Sequence, residues 1–214
     1  MAELAKLYDA ILAGDAKTAA AVTREALAEN ADAMELVTRY MIPAMDEVGR
    51  RFECEEYFVP ELLLSARAMK RAMELIRPLL AARGAQPVGR VVIGTVKGDL
   101  HDIGKNLVAS MLEGGGFEVI DLGADVAPEK FVEAVRARQA DIVALSALLT
   151  VTMPAMRTTI EALKAAGVRD RVKVMVGGAP LTQRYAEEIG ADGYGENASV
   201  AVSLARRLVG ARAA

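Results

Sequence analysis

At 214 residues and 53% apolar content, the chain has material for one or two domains with packed cores. Its 26 basic and 29 acidic residues are well mixed and leave a formal charge of −3, which excludes a basic nucleic-acid stripe and a polybasic membrane anchor. One cysteine, Cys54, excludes an internal disulfide, and one cysteine with one histidine excludes an ordinary Cys/His zinc site. The segment Met1 to Lys6 carries an acid and lacks an apolar core, so no secretory signal is expected. No later stretch reaches the ~18–20 apolar residues of a membrane span. The expectation is a soluble, cytoplasmic protein with no nucleic-acid or membrane partner.

Four helices are expected in the first part, near 3–13, 16–29, 32–51 and 60–82. Asp15 and Asp32 are suited to cap the second and third. Val37, Met41, Ala44 and Val48 share one helix face, as do Leu62, Ala66, Met69, Met73, Ile76 and Leu80. Pro60 falls in the first turn of the fourth helix, where a missing N–H costs little. Short connections favour an antiparallel bundle. Residues 83–89 then read as a linker.

Beyond the linker the pattern changes. Val91–Val96, Val119–Leu122, Ile142–Ser146 and Lys173–Val176 are short, β-branched runs, as expected for strands buried on both faces. A short fifth strand is expected near Gly193. Helical segments at 104–115, 128–138, 154–166, 181–189 and 197–209 alternate with the strands. The predicted fold is a doubly wound, flavodoxin- or Rossmann-like α/β domain with a five-stranded parallel sheet, residues 88–214, preceded by a four-helix bundle cap, residues 1–86.

Ligands of such sheets bind beyond the carboxyl ends of the strands. Three sequence features converge there: the only histidine, His101, after the first strand; Ser146 at the end of the third; and Gly177-Gly178 at the end of the fourth. A ligating imidazole needs its second nitrogen held by an acceptor, and Asp99 is close enough in the loop to supply one. Asp99 could equally be a turn cap. Gly98, Gly104, Gly177 and Gly178 could permit turns or make room for a large ligand. Lys105 and Asn106 could be solvated residues of a first helical turn. Cys54 reads as a bystander.

The order Asp-x-His-x-x-Gly, Ser-x-Leu, Gly-Gly is reproduced as Asp99/His101/Gly104, Ser146/Leu148 and Gly177/Gly178, and it resembles cobalamin-binding domains. The resemblance implies that the dimethylbenzimidazole tail leaves cobalt and enters a slot lined by the Ser-x-Leu and Gly-Gly positions. His101 would take the vacated axial place as the metal ligand. Gly98, Asp102, Ile103, Thr150 and Thr152 would belong to the same cofactor site. Methionine synthases generally carry Ser where this chain has Thr152, whereas Thr is common among stand-alone corrinoid proteins. A relay His101–Asp99–Thr152 would couple cobalt ligation to proton uptake.

The helical part extends the resemblance over about residues 3–209, through Phe52, Tyr57-Phe58-Val59-Pro60-Glu61-Leu62 and Ser65–Lys70. In methionine synthase-like proteins this cap shields the upper corrin face, which would give Phe52, Val59 and Leu62 apolar contacts there; each could equally be bundle core. The form of the family most similar to this chain is the small corrinoid protein of methyltransferase systems. A substrate-specific methyltransferase would deliver a methyl group to Co(I), and a second methyltransferase would pass it to tetrahydrofolate, coenzyme M or a similar acceptor. A reductive activation protein would be a further partner. The protein would bind methylcobalamin or another corrinoid and would not be catalytic alone; the cap must move, with the linker as hinge. An adenosylcobalamin mutase subunit and a B12-dependent regulator are the alternatives. A phospho-acceptor receiver domain would leave His101, Ser146 and Gly177-Gly178 as coincidences.

Overall fold

The computed structural model describes residues 3–82, 84 and 86–210. The chain forms two compact units, Met1–Pro87 with Glu113–Gly116, and Val88–Leu112 with Phe117–Ala214. Arg83 and Ala85, in the segment expected to be a hinge, lie outside the described residues.

The first unit is helical. Helix α1 (Ala5–Leu12) buries Leu7, Ala10 and Ile11, the spacing of a single helix face. The Asp15 carboxylate caps α2 (Ala16–Ala28) by accepting from the N–H groups of Lys17 and Thr18 at 3.1 and 3.0 Å. Asp32 does the same for Met34 at 2.8 Å, opening α3 (Ala33–Glu35). The single helix expected over 32–51 is composite: α3 runs through a π-helical turn, Leu36–Met41, into α4 (Ile42–Glu53). The physical reason is Pro43, which has no N–H to return to the Arg39 carbonyl. The ladder shifts by one residue, and the Ile42 N–H reaches the Val37 carbonyl instead. Helix α5 (Val59–Ala82) buries Leu62, Ala66, Met69, Met73 and Ile76 against α2 and α4, while Leu80 is half-buried.

The second unit alternates strand and helix: β1 (Arg90–Thr95), α6 (Ile103–Gly114), β2 (Glu118–Asp121), α7 (Pro128–Arg138), β3 (Ile142–Ser146), α8 (Pro154–Ala165), β4 (Lys173–Gly177), α9 (Gln183–Ile189), β5 (Gly193–Gly195) and α10 (Ala198–Leu208). All pairings are parallel, in the order β2-β1-β3-β4-β5. Val92, Val143, Leu145, Val174 and Val176 pack with Phe131, Met156, Ile160 and Ile189 of α7–α9. The alternate residues Val91, Ile93, Ile142, Ala144 and Met175 are buried too, and α10 packs on β4 and β5. Burial of both faces explains why β1, β3 and β4 read as continuous apolar runs; β2, expected to be buried in the same way, is the edge strand and Val119 and Ile120 are only half-buried. The register aligns Thr95, Ser146, Gly177 and Gly195 in one row across the carboxyl edge. The order reverses between β1 and β3, so the crevice of this doubly wound sheet opens above Thr95 and Ser146.

Candidate functional site

Strand β1 ends in Thr95, which is buried and donates its hydroxyl to the His101 carbonyl at 2.9 Å. The chain then turns through Gly98, whose φ of +85° favours glycine, into Asp99. Asp99 is 0% exposed and is satisfied on both oxygens. Oδ1 accepts from the His101 backbone N–H at 3.0 Å and from its ring Nδ1 at 2.8 Å. Oδ2 accepts from the Leu148 N–H at 2.8 Å and the Thr152 hydroxyl at 2.7 Å, with the Leu149 N–H farther off at 3.4 Å. Burial alone would raise the carboxyl pKa. The bonds from Thr152, His101 and Leu148 outweigh it and hold Asp99 well below the usual carboxylate range.

An ionised carboxylate only accepts, so Nδ1 of the His101 ring carries a proton, and in the neutral ring Nε2 keeps a free lone pair. The imidazole is 51% exposed. It is thus oriented from behind and open in front, the arrangement a ligating histidine requires. The buried Thr152 hydroxyl lies 2.7 Å from Asp99 Oδ2 and 2.8 Å from the Leu149 carbonyl. With one proton and two acceptors, it serves Asp99 when that group is ionised and can turn to Leu149 when it is not.

Helix α6 starts immediately after the loop. Asp102 accepts from Asn106 through both its backbone and side-chain oxygens, at 2.8 and 3.1 Å. Lys105, which sequence alone left as a solvated residue, is instead buried, with its ammonium on Asp121 at 2.5 Å and Asn106 at 2.6 Å. Around His101 the apolar side chains face outward: Leu100 is 76% exposed, Ile103 82% and Val151 80%, with Leu148 and Leu149 partly exposed beside them. Thr150 is exposed in the same β3–α8 loop, and Ser146 is half-buried, its hydroxyl without a partner among the described residues.

The glycines differ in what they are for. A Cβ at Gly178 would lie 1.9 Å from the Ala147 carbonyl oxygen, and φ there is +139°. A Cβ at Gly177 would approach the Gly195 carbonyl to 3.1 Å. Close approach of neighbouring backbones accounts for both. Gly104 is the opposite case: a Cβ in this helical turn would meet nothing within 4 Å.

In the helical unit, Phe52 is half-buried and Val59 is exposed beside exposed Phe58. Leu62, for which the sequence left both an upper-face contact and bundle core open, is 0% exposed and packs within the bundle. Residues that sequence reading missed are Thr95 and the Lys105–Asp121 pair. The only available signal for Thr95 was a hydroxyl residue in an otherwise apolar strand. Among the described residues no group of three or more His, Cys, Asp or Glu side chains could hold a metal, and no helix is long and apolar enough to cross a membrane.

Comparison with known proteins gives the family. Residues 89–203 match the family described as B12 binding domain, and residues 3–77 match a second family of the same description. Trimethylamine corrinoid protein 1 of Methanosarcina acetivorans is 47% identical over 96% of this chain and 96% of its own. A cobalamin-binding protein from Desulfitobacterium hafniense has a crystal structure that superposes with a TM-score of 0.81 at 34% identity, covering 97% of this chain and 99% of that one. The methanol:cobalamin methyltransferase complex from Methanosarcina barkeri gives a TM-score of 0.85 at 28% identity, over 95% of this chain and 78% of the matched one.

The chain belongs to the B12-binding family, in its corrinoid-protein form of helical cap plus binding domain. Its cofactor is a cobalamin, and the residues present fit one. The free Nε2 of His101 offers one imidazole nitrogen donor of the kind that suits a first-row transition metal, the outward Leu100, Ile103 and Val151 offer an apolar seat, and the open space at Gly104 leaves room beside the helix start.

Proposed function

We propose that this protein is a methyl carrier: it holds a corrinoid on His101 and presents it in turn to a substrate-specific methyltransferase and to a second methyltransferase acting on tetrahydrofolate, coenzyme M or a similar acceptor. Bound cobalamin supplies the cobalt that takes up and gives up the methyl group. The protein's part is position and electrostatics. Asp99 fixes the imidazole tautomer and aims Nε2 outward; Thr152 and the Leu148 amide keep Asp99 ionised; the outward apolar side chains keep water from the ring's underside. Ser146, Leu148, Thr150, Gly177 and Gly178 would line the slot for the displaced tail, with Gly98, Asp102, Ile103 and Gly104 at its rim. Phe52 and Val59 remain the cap residues suited to the upper face.

The observation that carries the reading is the pairing of a buried, fully satisfied Asp99 with a half-exposed imidazole whose only free nitrogen faces out. A trimethylamine corrinoid relative matching nearly end to end supports carrier over regulator or mutase subunit, and makes methylated amines the donor class to test first. A reductive activation protein and a cytoplasmic setting go with this reading. The test is reconstitution with hydroxocobalamin followed by removal of free cofactor. Retained red colour, with an axial-ligand spectrum that changes in His101→Ala, is expected; colourless protein would overturn the assignment.

A further inference from the structure

The loop that carries His101 is held from two sides, and only the inner side belongs to the site described above. On the outer side lies the β2–α7 connection. There the Asp125 N–H donates to the Asp99 carbonyl at 2.9 Å, so that Asp99 is fixed by its main chain as well as by its carboxylate. The Asp125 Oδ1 accepts from the Gly98 N–H at 2.8 Å, and its carboxylate pairs with Lys97 Nζ at 3.0 Å. The backbone of Asp125 is in the left-handed region, φ 54°, which Asp and Asn tolerate better than most residues. On either side the two segments are sewn together: the Thr95 N–H donates to Gly123 and the Val126 N–H to Thr95, each at 3.0 Å.

We infer that Asp125 is a positioning residue for the cobalt ligand: it clasps Lys97–Asp99 so that Asp99 presents its carboxylate to His101 at a fixed angle. This rests on the carrier reading for its consequence at cobalt, but the clasp itself is a property of the protein without cofactor. The bonds of Asp125 run to Lys97, Gly98 and Asp99, so its effect on His101 passes through Asp99. The contact that matters is the Oδ1 acceptor for Gly98; the Lys97 pair is exposed and contributes little.

Two variants separate the clasp from general packing. Asp125→Gly keeps the left-handed backbone and the N–H to Asp99 but removes the acceptor. Asp125→Asn keeps an Oδ1 acceptor and loses the charge together with the Oδ2 acceptor for Lys97. In hydroxocobalamin-loaded protein, Asp125→Gly is expected to weaken cofactor affinity about fivefold and to lower the imidazole-ligated fraction in the visible spectrum, with Asp125→Asn restoring both. In cofactor-free protein, hydrogen exchange is expected to quicken at Gly98, His101 and Leu148 in Asp125→Gly, with the strand amides unchanged. Wild-type spectrum and affinity in Asp125→Gly would overturn the inference. So would failure of Asp125→Asn to rescue, or a uniform rise in exchange across the sheet. If the wild-type protein retains no cobalamin, the carrier reading falls, and the exchange comparison still decides whether the clasp exists.

Discussion

Asp99 carries more of the site than its size suggests. It receives bonds from Thr152, from Leu148 and from His101 twice, and its pKa is depressed in the folded state. A depressed carboxyl stabilises the fold above its ordinary unfolded value and loses that contribution as pH falls toward the folded one. Replacing it with Asn puts an amide N–H₂ where acceptors are needed. Cofactor-free Asp99→Asn is expected to lose about 2–3 kcal/mol near neutrality, and its gap from wild type should narrow as pH falls below about 4, as followed by denaturant titration. Thr152→Val should cost about 1.5–3 kcal/mol and Thr152→Ser much less, since serine keeps the donor. A Val variant as stable as wild type would remove the hydroxyl from the account.

At the scale of elements, Gly178 and Gly104 give opposite predictions. Gly178→Ala drives a Cβ into the Ala147 carbonyl and should destabilise the β3–β4 edge or prevent folding, whether or not cofactor is present. Gly104→Ala fills only open space in a helical turn, so the cofactor-free protein should gain up to about 1 kcal/mol. Cobalamin retention should nonetheless weaken in Gly104→Ala; unchanged retention would show that the space is not used. The strands, the helices and the Asp99–His101 pairing were legible because each follows from local pattern: apolar runs, periodic faces, and an acceptor two residues from the imidazole. Thr95 and Asp125 were not, because their partners are backbone atoms brought near by sheet register and loop shape. Pro43 was visible in the sequence, but a proline early in a helix does not reveal whether the ladder breaks or slips into a π turn. Leu62 was ambiguous because a core face and a ligand face have the same composition.

At the scale of the whole molecule, a ligand that binds only the folded chain must stabilise it. Cofactor at about 100 times its dissociation constant should add about 2.7 kcal/mol to unfolding, and His101→Ala should show a smaller gain at the same concentration. Equal gains would mean that cobalamin is held without the histidine.

His101 is the only histidine in the chain, so its bond to cobalt can be read by labelling that residue type alone. Protein grown with nitrogen-15 histidine, loaded with cobalamin and reduced to the paramagnetic Co(II) state, reports its axial nitrogen through the superhyperfine splitting of its electron paramagnetic resonance spectrum. Ligation by His101 predicts that labelling converts each triplet to a doublet. Triplets that persist in the labelled protein would mean that another nitrogen, such as that of the cofactor's own tail, holds the metal, and that His101 is not the ligand.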